Sequence, residues 1–190
     1  KNRDILILGS GPGIAAHKKS LEIFIKRNKP LVLALNIQKV IEPSLINLCI
    51  ACHPVRLLAD AENHSNLPQP LITPASMLPK SLIKKLGNKK LLDFGIKISP
   101  DTFEFYEKHC ILPNSLVLSY ALAVCESGKV SKILMAGFDG YQNGDSRNDE
   151  VEKILSNFYN SGIKESVISI TPTRFKGLTL SLIHISEPTR

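Results

Sequence analysis

The chain has 190 residues, enough for one domain with a sizeable core, and 43% of them are hydrophobic with no tryptophan. No apolar run approaches a membrane span, and the N-terminus enters a strand pattern at once, so neither a spanning helix nor a signal peptide is expected. The net charge of +7 comes from scattered pairs such as Lys18-Lys19 and Lys84-Lys85 with no interleaved aromatics. That pattern gives nucleic-acid binding little support and reads as a basic solvated surface, able to help gather phosphorylated ligands. Opening on Lys1 rather than Met implies a fragment of a longer chain.

Residues 4–8 form an apolar strand pattern that runs straight into Gly9-Ser10-Gly11-Pro12-Gly13, and a helix is predicted over about 15–28. Glycines allow tight turning and close backbone approach, and helix-start amides carry partial positive charge, so the segment has the form of a phosphate cradle. A dinucleotide fingerprint needs its third glycine three residues after the second and an acidic residue about twenty positions on. Here the third glycine comes early, at Gly13, and the second strand, 31–35, ends at Asn36, an amide where the ribose clamp is a carboxylate. NAD is therefore not expected, and no Gly-Lys-Ser/Thr follows to make a Walker-type site. The alternative is a tight strand-to-helix turn with no ligand.

Further along, a short helix is predicted near 43–47 and a third strand over 48–52. Cys49-Ile-Ala-Cys52-His53 matches the c-type haem attachment pattern letter for letter. Its place in a buried strand pattern argues against haem, which needs an exposed segment. It also argues against a redox pair, because alternate strand residues point to opposite faces. With Cys110 and Cys125, these cysteines read as buried free thiols in a reducing cytoplasm. Residues 54–79 are Pro-rich around a short strand at Leu71-Ile72-Thr73, 82–86 form a helical turn, and short strands flank Gly95 at 91–94 and 96–98.

Asn114-Ser115 is an N-cap pair before a helix over 116–126, apolar nearly all round and so buried, which Ser127-Gly128 stops. The next strand, 132–136, ends in Gly137-Phe138-Asp139-Gly140-Tyr141; an amphipathic helix follows over 148–159, then a last strand over 167–170. This alternation implies an α/β protein: a three-layer Rossmann-like fold with an open, mostly parallel sheet, one domain over 1–180. Residues 181–190 resemble translated sequencing-adapter sequence and read as a non-native tail, so His184 is given no functional weight.

In an open parallel sheet, ligands bind beyond the carboxyl ends of the strands, near the point where strand order reverses. Gly9-Ser10-Gly11, Asn36, His53, and Asp139 with Tyr141 fall at those ends, and Asn114-Ser115 adds a helix start with an amide and a hydroxyl. Each has a purely structural alternative: His53 as a strand cap, Asp139 as an Asx turn, Asn114 and Ser115 as helix caps, Tyr141 as a packed rim residue.

These residues, in this order over 4–175, resemble the motifs of bacterial sialyltransferase-like and 6-hydroxymethylpterin diphosphokinase-like domains. With Ala51-Cys52-His53-Pro54-Val55-Arg56-Leu57-Leu58-Ala59-Asp60 and Ile170-Thr171-Pro172-Thr173-Arg174 included, the pattern is similar to a C-terminal domain that follows an HMG-CoA-lyase-like aldolase barrel in bacterial surface-polysaccharide pathways. The resemblance implies that Gly9, Ser10, Gly11, Asn36, Asn114, Ser115, Asp139 and Tyr141 hold a nucleotide, CMP by the sialyltransferase likeness. His53 stands where the family usually has Asn. Sialyltransferases of this type carry a general-base His after the Gly-x-Asp-x-Tyr segment, and none lies between Tyr141 and His184.

His53 and Asp139 are then the remaining catalytic candidates, acting through an altered arrangement. Two functions follow from the resemblance. One is a cytoplasmic module that holds a nucleotide or nucleotide-sugar for an aldolase barrel in surface-glycan synthesis. The other is a glycosyltransferase or diphosphokinase in its own right, with Asp139 touching Mg²⁺. The missing His favours the first.

Overall fold

The computed structural model describes residues 3–161 and 167–181. Strand β1 (Asp4–Leu8) leads through the glycine turn to α1 (Gly13–Ala16). His17, at φ −111° and ψ 18°, breaks the helix predicted over 15–28, and α2 (Lys18–Asn28) continues beyond it. Then β2 (Leu31–Leu35) follows as expected, and a 3-10 turn at Pro43–Leu45 and β3 (Leu48–Ile50) are shorter than the ranges 43–47 and 48–52 expected for them.

The Pro-rich stretch departs from its reading. It contains two short helices, α3 (Pro54–Ala59) and α4 (Ala61–Asn66), ahead of β4 (Leu71–Thr73). Pro54 occupies the first position of α3, where its missing N–H has no intrahelical partner to lose and its fixed φ already suits a helix. Next come α5 (Lys80–Leu86) and β5 (Leu91–Asp93).

Strands β6 (Gly95–Ile98), β7 (Glu104–Phe105) and β8 (His109–Leu112) form a separate small sheet in the order β6-β8-β7. The chain then runs through α6 (Val117–Ser127), β9 (Lys132–Ala136), α7 (Ser146–Asn160), β10 (Val167–Ser169) and β11 (Thr179–Leu180). Among the described residues the main sheet has eight strands, all parallel, in the order β11-β10-β9-β1-β2-β3-β4-β5. This is the expected open, three-layer Rossmann-like α/β fold. Because the chain steps outward from β1 to β5 and then returns to lay β9 on the other side of β1, strand order reverses between β1 and β9.

Strand alternation divides the core between the two faces of the sheet. Ile5, Ile7, Leu33, Leu35, Ile133 and Met135 pack with α6, α7 and the small sheet. Leu6, Leu8, Val32, Ala34, Leu134 and Ala136 pack with the α1 to α5 layer. Cys49 and Cys52 fall on opposite sides by the same rule, and all four cysteines are buried free thiols. Burial pushes the Cys52 and Cys110 thiols up to about 12, which leaves them protonated and unreactive at neutral pH.

Tyr120 is fully buried in α6, and its hydroxyl donates to the carbonyl of Phe94, the residue that links β5 to β6, tying that link to the core. The tail expected over 181–190 lies outside the described residues, apart from Ser181, whose amide donates to the Ser169 carbonyl at 2.9 Å. Among the described residues no helix is long and apolar enough to cross a membrane.

His64 on α4 is 1% exposed, and its Nδ1 finds no partner. Burial, reinforced by the Lys89 charge and opposed by Asp60, lowers its pKa from 6.5 to about 4. The unfolded chain then takes up a proton near pH 6.5 that the folded chain refuses until about pH 4. Stability is therefore lost as pH falls through that window, by up to about 1 kcal/mol per pH unit. Urea unfolding of wild type and His64→Leu at several pH values between 4 and 7 should show a shallower decline in the variant; equal slopes would rule His64 out as the source.

Candidate functional site

At the switch point, the exits of four adjacent strands are knitted together by their backbones. Gly9 donates to the Ala136 carbonyl and Gly11 to the Gly137 carbonyl, both at 2.9 Å, which carries the pairing of β1 with β9 past the strand ends. From the β2 side, buried Gln38 donates through Nε2 to the Gly9 carbonyl at 2.7 Å. On the β10 side, Thr171 Oγ1 accepts from the Gly137 amide at 3.0 Å, and Thr173 Oγ1 donates to the Phe138 carbonyl at 2.6 Å. The Arg174 amide donates to the Asp139 carbonyl at 3.2 Å. Residues 137–139 are thus held at three successive positions by the segment leaving β10.

The glycines are needed for this closeness. Gly137 has φ +75°, a left-handed conformation that L side chains rarely adopt. A Cβ on Gly11 would lie 2.1 Å from Asp139 Oδ2 and 2.6 Å from the Gly137 oxygen. One on Gly13 would lie 2.3 Å from Asp139 Oδ1. What the glycine turn approaches most closely is therefore the chain's own Asp139 carboxylate, whose Oδ2 is buried without a hydrogen-bond partner.

Beside this knot opens a cleft of two lobes. The first, about 360 Å³, is lined by Gly9, Ser10, Gly11, Asn36, Asp139 and Tyr141 among the expected residues, over apolar walls that include Leu118, Phe138, Ile154 and Phe175. The second, about 520 Å³, is lined by His53, Asp60 and Ser115, with Val55 and Ala59 from α3. Asn36, Arg56, Leu116 and Val117 border both lobes and mark the waist between them. The structure so gathers Gly9, Ser10, Gly11, Asn36, His53, Ser115, Asp139 and Tyr141 around one continuous cleft.

Asn114 lies elsewhere. It borders a separate hollow of about 130 Å³ with Asp101 and Lys153. Its Oδ1 accepts from the Leu116 amide and the Ser119 hydroxyl, both at 3.1 Å. That side chain is occupied in shaping the start of α6, which begins one residue later than the sequence suggests. Ser115 takes part through its backbone as well, since its carbonyl accepts from the Cys52 thiol at 3.2 Å.

Several donors at the cleft have no acceptor within the described protein. Ser10 makes no hydrogen bond through its amide or hydroxyl, the Asn36 side-chain amide is unbonded, and the Arg56 guanidinium is exposed and unpaired. The amides of Val117 and Leu118 belong to the first turn of α6, which leaves its N–H groups without intrahelical partners. Asn36 itself sits at φ 55°, a left-handed conformation that Asn tolerates better than most side chains. Arg147, by contrast, is engaged: it pairs with Asp145 at 2.6 Å and lies 4.0 Å over the Tyr141 ring, fixing that rim residue. Arg147's hydrogen bonds hold the Asp145 carboxyl down at about 2.

Two residues escaped the sequence reading. Arg56 stands in the conspicuous His53-Pro54 segment, and Pro54 as a helix-start signal would have placed it in the first turn of a helix at a strand exit. Gln38 carried no signal, because a buried loop glutamine looks like any surface one until its partners are known. Among the described residues no group of three or more His, Cys, Asp or Glu side chains is placed to hold a metal ion. Among the described residues Asp139 is the one carboxylate lining the first lobe, so it offers a single ligand to a Mg²⁺ that would arrive with nucleotide phosphates.

The two close approaches differ in a testable way. Gly11→Ala meets a backbone oxygen as well as Asp139, whereas the nearest atoms to Gly13→Ala all belong to the Asp139 carboxylate. Each substitution should destabilise, Gly11→Ala the more, on the order of 1–3 kcal/mol. In an Asp139→Ala background the Gly13→Ala cost should vanish and the Gly11→Ala cost persist, read from chemical denaturation of all five variants. Equal rescue of both would refute the assigned contacts.

No family model matches the chain, nor does any curated protein or solved structure. What the cleft does is therefore argued from its own chemistry.

Proposed function

We propose that this domain binds a nucleotide or nucleotide-sugar in the two-lobed cleft at the β1/β9 switch point, for use by an aldolase in bacterial surface-glycan synthesis. The observation that carries the binding reading is the set of unpartnered donors, Ser10, Asn36, Arg56 and the start of α6, around an apolar-walled cleft. Donors without protein acceptors are suited to phosphate and sugar oxygens, and apolar walls to the faces of a base or ribose. About 360 Å³ in the first lobe falls within the range of small-molecule sites, and the location agrees with the general rule for open α/β sheets. The aldolase partner, the glycan pathway and the cytoplasmic setting rest on the likeness of the motifs alone, because a fold does not specify its function.

Calorimetric titration with CMP, ATP and UDP-sugars tests the reading. At least one should bind with measurable heat, and Asn36→Ala should weaken that ligand about tenfold, the value of one or two lost hydrogen bonds. Absence of heat with all of them would sink the proposal.

The transferase reading has one observation in its favour: His53 is exposed, its imidazole is unbonded, and it lines the lobe next to the waist. Asp139 is less suited to take an acceptor proton, since its carboxylate is packed against Gly11 and Gly13 with Oδ2 buried. Incubation with CMP-sugars, or with ATP and Mg²⁺, plus acceptors should give no turnover if the domain only binds. Turnover abolished by His53→Ala would establish the transferase instead.

A further inference from the structure

We infer that Arg56, at the waist of the cleft, is the residue that recognises the ligand's phosphate, and that the glycine turn is not; the inference rests on the nucleotide-binding reading above. From Gly11 to Gly13 the turn is closed to an anion by its own neighbours, while Ser10 beside them keeps its amide and hydroxyl free for the ligand's other oxygens. The Gly11 amide is spent on the Gly137 carbonyl at 2.9 Å, and the Ile14 amide on the Gly11 carbonyl at 3.1 Å. The sides of Gly11 and Gly13 where a Cβ would stand are covered by the two oxygens of the Asp139 carboxylate, close enough that even a methyl group would overlap them. A phosphate entering there would have to displace a carboxylate or lie against one of like charge.

Arg56 has the opposite circumstances. Among the described residues it is the only Lys or Arg that lines either lobe, and its guanidinium has no protein acceptor. The other arginines near the rim are engaged, Arg147 with Asp145 and Arg174 with the Tyr141 carbonyl and Asn143 Oδ1, both at 3.4 Å. A planar guanidinium suits two phosphate oxygens at once. Because Arg56 borders both lobes, a phosphate held by it has one space of about 360 Å³ on one side and one of about 520 Å³ on the other. The ligand class that fits is a nucleotide whose phosphate carries a second group, with the nucleoside in the first lobe and that group in the second.

The test compares cytidine with CMP, and the nucleosides and monophosphates of the other three bases in the same way, by calorimetry on wild type, Arg56→Lys and Arg56→Gln. Wild type should bind a monophosphate at least tenfold more tightly than its nucleoside. That ratio should shrink in Arg56→Lys, which keeps the charge without the fork, and fall towards one in Arg56→Gln. The Arg56 side chain makes no hydrogen bond or ion pair in the fold, so an unchanged unfolding midpoint should accompany these losses. A wild-type ratio near one, or a ratio preserved in Arg56→Gln, would overturn the role of Arg56 while leaving nucleotide binding intact. Failure of wild type to bind any nucleoside or nucleotide would overturn the reading beneath it.

Discussion

Everything at the site depends on two backbone turns touching with no side chain between them. The Gly11 amide and the Gly137 carbonyl meet at 2.9 Å where β1 and β9 leave the sheet. This contact sets the position of Asp139 against Gly13 and leaves the cleft open on the α6 side. It is also the point at which strand order reverses, so adjacent strands diverge in connection and their loops part to either side. The bracing by Gln38, Thr171, Thr173 and Arg174 holds a contact that a single Cβ would prevent. A pattern of glycines that looks like accommodation for a ligand is, at Gly11 and Gly13, accommodation for the protein itself.

That distinction explains what was legible in the sequence. The central strands of the main sheet are near-continuous apolar runs buried on both faces, so 4–8, 31–35 and 132–136 could be read with the bounds they have in the structure. Of the second sheet only β6 was legible, as the strand expected over 96–98; β7 and β8 were hidden because they have two and four residues and are partly exposed. The helices of residues 54–66 were hidden by Pro54, which reads as a turn as readily as a helix start, and by their shortness, at six residues apiece. In both cases tertiary packing, not local preference, decides the outcome.

At the cleft, the strand-end rule located most of the expected residues, since Ser10, Asn36, His53 and Asp139 follow four parallel strands or their exits and must emerge on one edge of the sheet. It could not say which side chains remain free. Asn114 sits at the right helix start but is turned inward to Ser119 and Leu116. Arg56 sits in an ordinary helical turn yet has nothing to pair with. Whether a polar group is occupied is a property of its neighbours in space, and a single chain of letters does not list them.

The left-handed backbone at Asn36 has a bearing on how sites of this architecture diversify. The φ of 55° admits asparagine, aspartate or glycine with little strain and resists branched or bulky side chains. Asparagine and aspartate are nearly isosteric, so at the end of β2 the backbone is indifferent to whether an amide or a carboxylate is presented. An aspartate there is the group that dinucleotide sites turn towards ribose hydroxyls. The step between two ligand chemistries is then one heavy atom wide, at a position where the scaffold raises no conformational barrier against it.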